Sequence, residues 1–254
     1  MSEELLALAL AAARSAGWLL LERARKPATG LSSKTSSTDL VSDTDRAAEQ
    51  LIARTILAAR PDDALVAEEG AAAEGGSGVR WLVDPLDGTI NYLWGIPQWC
   101  VSVAALDADG GLAAVVHDPS RGETFTAVRG GGARLDGAPL RVLPATDLSE
   151  ALIGTGFDYR ADERARQARL LTRVLPAVRD VRRLGAAALD LAWVAAGRLD
   201  GYFETGLKPW DRAAGELIVR EAGGVVEEID RSGVVAAGPS LIGPLRALVE
   251  DGGG

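Results

Sequence analysis

The feature that most narrows the fold is a change of rhythm at Pro144. Before it, short apolar runs recur at residues 101–106, 112–117, 124–128 and 133–135. Asp109-Gly110 and Asp136-Gly137 fall at reversals, and such pairs supply the positive φ of a tight hairpin. An antiparallel meander follows. After Pro144, strand-length runs at 151–154, 180–183, 201–204 and 225–229 alternate with helical spacing at 163–175, 186–196 and 212–222, and a closing helix falls near 244–249. That alternation predicts a mainly parallel layer. The chain thus divides into an α+β half, residues 1–143, and an α/β half, residues 144–254, without a linker that would let the two move freely.

Ahead of the meander, Leu5, Leu8, Ala9, Ala12, Ala16, Leu19 and Leu20 recur at helical spacing over residues 3–25, with Glu3 and Glu4 where the helix dipole favours anions. A Ser/Thr/Gly-rich loop over 27–38 contains Lys34. Ser42-x-x-Asp45 is a capping box for a second helix that Pro61 ends. A short strand at 65–67 leads into Glu68-Glu69, a glycine-rich run spans 70–78, and a strand at 80–83 meets Asp84-Pro85. Pro85 fixes its own φ and forces Asp84 to be extended, so the strand is expected to end there.

Composition removes whole classes of function. Lys and Arg total 27 against 36 Asp and Glu, a net charge of −9 that repels a phosphate backbone, so no direct nucleic-acid partner is expected. Cys100 is the single cysteine and His117 the single histidine, which argues against disulfides, His/Cys zinc sites and Ser-His-Asp triads. His117 reads as a strand-end residue. Lysine occurs only at Lys26, Lys34 and Lys208, and none completes a phosphate-binding P-loop motif. The first apolar run, residues 5–13, is short for a membrane span and lacks the positive flank of a signal peptide, so a cytoplasmic protein with no membrane partner is expected.

The chemistry concentrates in Asp84-Pro85-Leu86-Asp87-Gly88-Thr89. Two carboxylates three residues apart leave a tight turn, and a helix starting near Ile90 would turn the amides of Gly88 and Thr89 toward a phosphate. Singly, such acids are also ordinary turn and cap residues. Glu68-Glu69 after a short strand, and Asp211 opening the helix at 212–222, are further acids of this kind; Asp211 also reads as a plain N-cap. If Glu68, Asp84, Asp87 and Asp211 converge, the donors are hard oxygens, suited to Mg²⁺ or Mn²⁺ rather than zinc. Such ions clamp a phosphate and activate water, so a metal-dependent phosphatase follows.

Asp39-Leu-Val-Ser-x-x-Asp45, Glu68-Glu69, Asp84-Pro-Leu-Asp-Gly-Thr-Ile-Asn91-Tyr and Trp210-Asp211-x-Ala213-Ala214-Gly215 with Glu221-Ala-Gly-Gly224 stand in the order found in the inositol monophosphatase family. Over nearly its whole length the chain resembles that family of lithium-sensitive, Mg²⁺-dependent phosphatases. The resemblance implies a sugar-phosphatase fold with the active site between the two halves. It implies that Glu68, Asp84, the Leu86 carbonyl, Asp87 and Asp211 hold the metals, and that Asp45 and Thr89 activate water, with Glu68 completing the catalytic set. Gly88 and Thr89 would bind phosphate through their amides, and Lys34 would belong to a mobile lid. Gly185, Ala187 and Glu204 would contact the substrate, through Arg183-Leu-Gly185-Ala-Ala187-Ala and the glutamate seven residues before Asp211. Ala186 replaces the family's Ser or Thr, and Trp94 stands where many members carry histidine; both bear on specificity and neither on the metal ligands.

The reaction implied is hydrolysis of a small phosphate monoester, myo-inositol 1-phosphate first, by a homodimer. Histidinol phosphate and other sugar or nucleotide phosphates are the alternative substrates within the same fold. Asp43-Thr-Asp45 also allows a haloacid-dehalogenase reading, but that motif needs an apolar strand before the first aspartate, where Ser42 opens a helix. A reading from another class is an interaction protein, since some relatives of this family bind transcription machinery and an arginine-rich helix, with Arg166, Arg169 and Arg173 on one face, offers a docking surface. The plainer reading of those arginines is a solvated face. The six tryptophans read mostly as core or dimer contacts.

Overall fold

The computed structural model describes residues 1–24, 32–33 and 40–250. Its elements in order are α1 (Ser2–Ala24), β1 (Ser32–Ser33), β2 (Leu40–Val41), α2 (Asp43–Ala59), β3 (Ala64–Ala67), β4 (Ala72–Ala73), β5 (Arg80–Asp87), α3 (Thr89–Leu93), β6 (Cys100–Asp107), β7 (Gly110–Asp118), β8 (Glu123–Val128), β9 (Gly132–Leu135) and β10 (Ala138–Pro139). A short 3-10 turn at Leu148–Glu150 precedes the second half. That half comprises β11 (Leu152–Thr155), α4 (Ala161–Val174), β12 (Asp180–Arg182), α5 (Ala187–Ala195), β13 (Gly201–Glu204), α6 (Pro209–Glu221), β14 (Val225–Ile229), β15 (Gly233–Ala237) and α7 (Ile242–Glu250).

The meander expected from the glycine turns is present and larger than the sequence indicated. Eight strands run in the order β10-β9-β8-β7-β6-β5-β3-β4, antiparallel except for the β3–β5 pair. One face of this sheet is covered by α1 and α2, through Leu5, Leu20, Ile52 and Ile56 against Trp81, Val83 and Val103. The other face packs on α5 and α6, where Phe125 and Val116 share a core with Leu189, Leu191, Leu217 and Ile218. Those two helices also cover a second sheet, whose far face packs on α4 and α7. The result is five layers, helix, sheet, helix, sheet, helix. The first sheet is built from strands before Pro144 and the second from strands after it, with α5 and α6 packed between the two as the middle layer. Gly215 makes that layer close, because a Cβ there would stand 2.5 Å from Leu191 Cβ.

Three expectations need correction. First, β5 does not end at Asp84 but runs through Pro85 to Asp87. Asp84 pairs with Ser102 and Asp87 with Cys100, so two residues, Pro85 and Leu86, oppose one on β6. That bulge needs no ladder donor from Pro85, which is how proline is accommodated inside a strand. Second, the second sheet is mixed, in the order β12-β11-β13-β15-β14, with β11 parallel to β12 and β13 but β15 antiparallel to β13 and β14. The sequence reading omitted β15, which forms a hairpin with β14. Third, the glycine-rich run at 70–78 contains the short strand β4.

Helix starts follow the capping logic. Ser42 Oγ accepts from the amides of Thr44 and Asp45, and the Asp45 carboxylate accepts the amide of Ser42 at 3.0 Å. α6 begins two residues before Asp211, with Pro209 in the first turn where its missing N–H costs nothing. His117 sits at the end of β7, its ring nitrogen 3.1 Å from Thr124 Oγ1. α1 is long and apolar enough to cross a membrane by length and composition, which the run at 5–13 did not reveal. Its buried stripe, from Leu5 to Leu20, is packed against the first sheet and α2. Of the tryptophans, Trp81 and Trp99 are core, but Trp18 and Trp94 are 63% and 66% exposed. The α4 arginines are only partly a solvated face: Arg166 donates to Glu163 and Thr205, and Arg173 to the Leu248 carbonyl.

Candidate functional site

Between the halves lies a cleft of about 550 Å³. Glu68, Asp84, Leu86, Asp87, Gly88, Thr89, Gly185, Ala187, Glu204 and Asp211, all sequence-predicted site residues, line it together. Asp45 stands behind them, and its Oδ1 lies 3.3 Å from Thr89 Oγ1. Lys34, the predicted lid residue, lies outside the described residues, as does Asp39. Asp43 does not line the cleft; it opens α2, where it pairs with Arg46 at 2.7 Å. A second groove of about 580 Å³, on α6, is lined by Arg129, Arg212 and Glu216 and contains none of the predicted residues. Its arginines are paired with acids, Arg129 with Asp107 and Arg212 with Glu216.

Each acid is delivered by a different local device. Glu68 follows β3 directly, and its amide donates to the Val83 carbonyl of β5 at 3.1 Å. The bulge turns Asp84, Leu86 and Asp87 toward one end of β5, with the Leu86 amide held by Asp84 Oδ1 at 2.9 Å. Asp211 arrives on the first turn of α6, and its Oδ2 accepts the Lys208 amide at 2.7 Å. The N-cap is Lys208, so the capping reading of Asp211 holds in a changed form: it closes the turn from the third helical position.

Gly88 must be glycine. Its φ is +89°, and a Cβ would meet the Gln98 carbonyl at 2.8 Å. It starts α3, from which Thr89 Oγ1 reaches the Leu86 carbonyl at 3.0 Å as well as Asp45. The hydroxyl has one proton and so donates to one of these oxygens at a time. Asn91 Nδ2 donates to the carbonyls of Gln98 (2.7 Å) and Leu184 (2.8 Å), joining the Asp84–Thr89 segment to the opposite wall of the cleft, beside Gly185. Asp87 goes further across: its carboxylate accepts from the amides of Ala187 at 3.2 Å and Ala188 at 2.7 Å. Ala186, the N-cap of α5, has no side-chain oxygen for this purpose, and a residue one hundred positions away caps the helix in its place.

The electrostatics are those of acids forced together. Burial pushes the Asp84 carboxyl well above the ordinary range, reinforced by the charges of Glu68, Asp87 and Asp211. Burial likewise raises Asp211, with Glu68, Asp87 and Glu204 adding to it against the Lys208 amide. Asp87 is raised by burial to about 6, despite its two helix amides. Asp45 is raised by burial against the hydrogen bonds from Ser42. Glu204 is raised by burial to about 7, although Tyr202 donates to it. Asp190, on α5, is buried with neither carboxyl oxygen hydrogen-bonded, and burial, then Asp87 and Glu204, raise it. Nothing in the sequence singles it out.

Such a group of carboxylates destabilises a fold unless cations or protons offset the repulsion. Among the described residues no three acidic, histidine or cysteine side chains form a closed metal-binding cluster, and Asp84, Asp87 and Asp211 are each held by backbone amides. The donor chemistry nevertheless fits Mg²⁺: carboxylates and one carbonyl from two halves of the chain around one opening. Gly156 is a site residue the sequence reading missed. A Cβ there would fall 1.9 Å from Glu204 Oε2, so only glycine leaves space for that carboxylate. Phe157, Tyr159 and Arg160 continue this wall, and Arg183 lies 5.9 Å from the Phe157 ring.

The sequence pattern of the inositol monophosphatase family matches residues 1–250. The Escherichia coli (strain K12) protein named Nus factor SuhB is 41% identical over 256 residues, covering 97% of this chain and 96% of that protein. Extragenic suppressor protein suhB from Bartonella henselae superposes with a TM-score of 0.93 at 36% identity, covering 98% of this chain and 99% of that one. An IMPase from Thermotoga maritima superposes with a TM-score of 0.88 at 30% identity, covering 99% and 98%.

Proposed function

Because the chain belongs to the inositol monophosphatase family, we propose that it is a cytoplasmic, Mg²⁺-dependent, lithium-inhibited phosphatase of small phosphate monoesters, with myo-inositol 1-phosphate the first substrate to test. The observation that carries this reading is the convergence of Glu68, Asp84, Asp87 and Asp211 on one cleft, where burial first, and then the charges of neighbouring acids, raise the aspartates. Glu68, Asp84, the Leu86 carbonyl, Asp87 and Asp211 would hold Mg²⁺, with Mn²⁺ a substitute. Bound there, the cation would offset the phosphate's charge and ease loss of a proton from the water that attacks phosphorus.

The chain's own groups do the rest. Thr89 and Asp45, in hydrogen-bond reach of each other, would orient the attacking water, its proton passing to the Asp45 carboxylate while the departing alkoxide takes a proton from solvent. Asp45 suits the proton's destination because burial raises its affinity for one. The amides of Gly88 and Thr89 would receive the phosphate oxygens. Across the cleft, Glu204 would accept a hydroxyl of the alcohol, beside the Gly185 and Ala187 backbone. Two substrate groups would then be fixed by opposite halves of the fold.

The test is phosphate release from inositol 1-phosphate, histidinol phosphate, fructose 1,6-bisphosphate and adenosine 3′,5′-bisphosphate, with Mg²⁺, with EDTA and with Asp84→Asn. Mg²⁺-dependent turnover that the variant lacks supports the reading, and the preferred ester identifies the substrate. No turnover on any of them would turn attention to the second reading, a partner-protein role. That role is favoured by the name Nus factor borne by the 41% identical E. coli relative. An Asp84→Asn protein that keeps its biological role would support it.

A further inference from the structure

Glu49 lies on α2 one turn after Asp45 and is 4% exposed. Its Oε2 accepts the amide of Glu69 at 2.5 Å, and its Oε1 accepts the amide of Ala71 at 2.7 Å. These donors belong to the turn between β3 and β4, and the first residue of that turn is Glu68. The turn has other fixings: the Glu68 amide is spent on Val83, and the Ala67 amide on the Ala71 carbonyl. The amides of Glu69 and Ala71 converge on a single carboxylate. A buried charge is a costly way to hold a turn, and its advantage over a neutral acceptor is two shorter, charge-assisted bonds in one rigid group.

We propose that Glu49 is a positioning residue for the cleft, fixing the 68–71 turn so that the Glu68 carboxylate faces Asp84 and Asp87. The inference rests on the reading of Glu68 as a metal ligand. It gives α2 two tasks one turn apart: Asp45 is carried to Thr89, and Glu49 is carried to the backbone behind Glu68. The ligand and the water-orienting pair are then set by one helix, and a shift of α2 moves both.

Experiment separates a positioning role from general loosening of α2 and from failure of the metal reading of Glu68. Mn²⁺ binding, followed by water-proton relaxation without substrate, is compared for wild type, Glu49→Gln, Glu49→Ala, Glu68→Gln and Ile52→Val, a core change on the same helix. Mg²⁺ dependence of turnover is measured alongside, with urea unfolding as the check of folding. Glu49→Ala is expected to weaken Mn²⁺ binding about 10- to 100-fold, the usual effect of removing a group that orients a ligand. Glu49→Gln, with one oxygen left, falls between it and wild type, and carries the test if the alanine variant does not fold. Turnover at saturating Mg²⁺ stays near wild type. Ile52→Val leaves Mn²⁺ affinity unchanged.

Wild-type Mn²⁺ affinity in a folded Glu49→Gln or Glu49→Ala protein overturns the proposal. An equal loss in Ile52→Val also overturns it, since loosening of the helix would then suffice. If wild type binds no Mn²⁺ and Glu68→Gln changes nothing, the metal reading fails first and the inference with it.

Discussion

Asp87 caps a helix that begins one hundred residues later: its Oδ2 accepts the amide of Ala188 at 2.7 Å. The same carboxylate faces Glu68 and Asp84 in the cleft, so one side chain joins the two halves and contributes to their mutual repulsion. The helix amides offset only part of the cost of burial, and Asp87 remains raised to about 6.

This sets how metal-free stability depends on pH. Asp87 at about 6 and Glu204 at about 7 both bind protons more tightly folded than unfolded, where 3.8 and 4.5 apply. Their contribution is complete below about pH 4 and is lost as pH rises through 6 to 7. In EDTA, the melting temperature of wild type relative to Glu204→Gln is expected to fall between pH 5 and pH 8. The change corresponds to the order of 3 kcal/mol for a shift from 4.5 to about 7. A difference between the two proteins that stays flat over that range would contradict it. Excess Mg²⁺ should raise the wild-type melting temperature most at the alkaline end.

Asp84→Asn is expected to abolish turnover and yet stabilise the metal-free protein. Asparagine keeps an oxygen for the Leu86 amide and removes a charge opposed by Glu68, Asp87 and Asp211. Relief of that repulsion is worth about 1 kcal/mol, or roughly 2–4 °C in a chain of this size. Calorimetry in EDTA at pH 7.5 measures it, and a lower melting temperature would show that the acids do not oppose one another as placed.

Gly156→Ala separates substrate binding from chemistry. The new Cβ would overlap Glu204, whose carboxylate must move, while the β5 acids are untouched. KM should rise on the order of 10-fold with kcat reduced much less, as expected when binding is lost equally from ground and transition states. An unchanged KM for every ester would remove Glu204 from the substrate's path.

The cleft was legible because its acids sit at element ends, where turn chemistry leaves a mark in sequence: Ser42 before Asp45, Pro85 between Asp84 and Asp87, Pro209 before Asp211. What was not legible depends on contacts with backbone. Glu49 reads as an ordinary helical acid, because the amides of Glu69 and Ala71 have no residue signature. Gly156 has no sequence mark either, since its need arises from a side chain 48 positions away. β15 was missed for a different reason. Its residues, Gly233 to Ala237, are all buried and lack alternation, and the turn before it relies on positive φ at Arg231 and Ser232 rather than glycine. A five-residue apolar run after a turn-length gap was the available signal.

Asn91 offers the last test, of a second side-chain link across the cleft beside Asp87. Both its bonds are donated from one nitrogen, to the carbonyls of Gln98 and Leu184. Asn91→Ala leaves two carbonyls short of a donor and should cost about 1–3 kcal/mol. Asn91→Asp keeps the shape and reverses the chemistry, since an ionised carboxylate donates nothing and faces both carbonyl oxygens. It should therefore destabilise more than alanine at pH 7, and recover toward the alanine value as acid protonates it. Urea unfolding of both variants at pH 5 and pH 7.5 decides the order. If Asn91→Asp is the more stable of the two at pH 7.5, the amide is not donating to these carbonyls, and Asp87 alone of the two side chains links the halves.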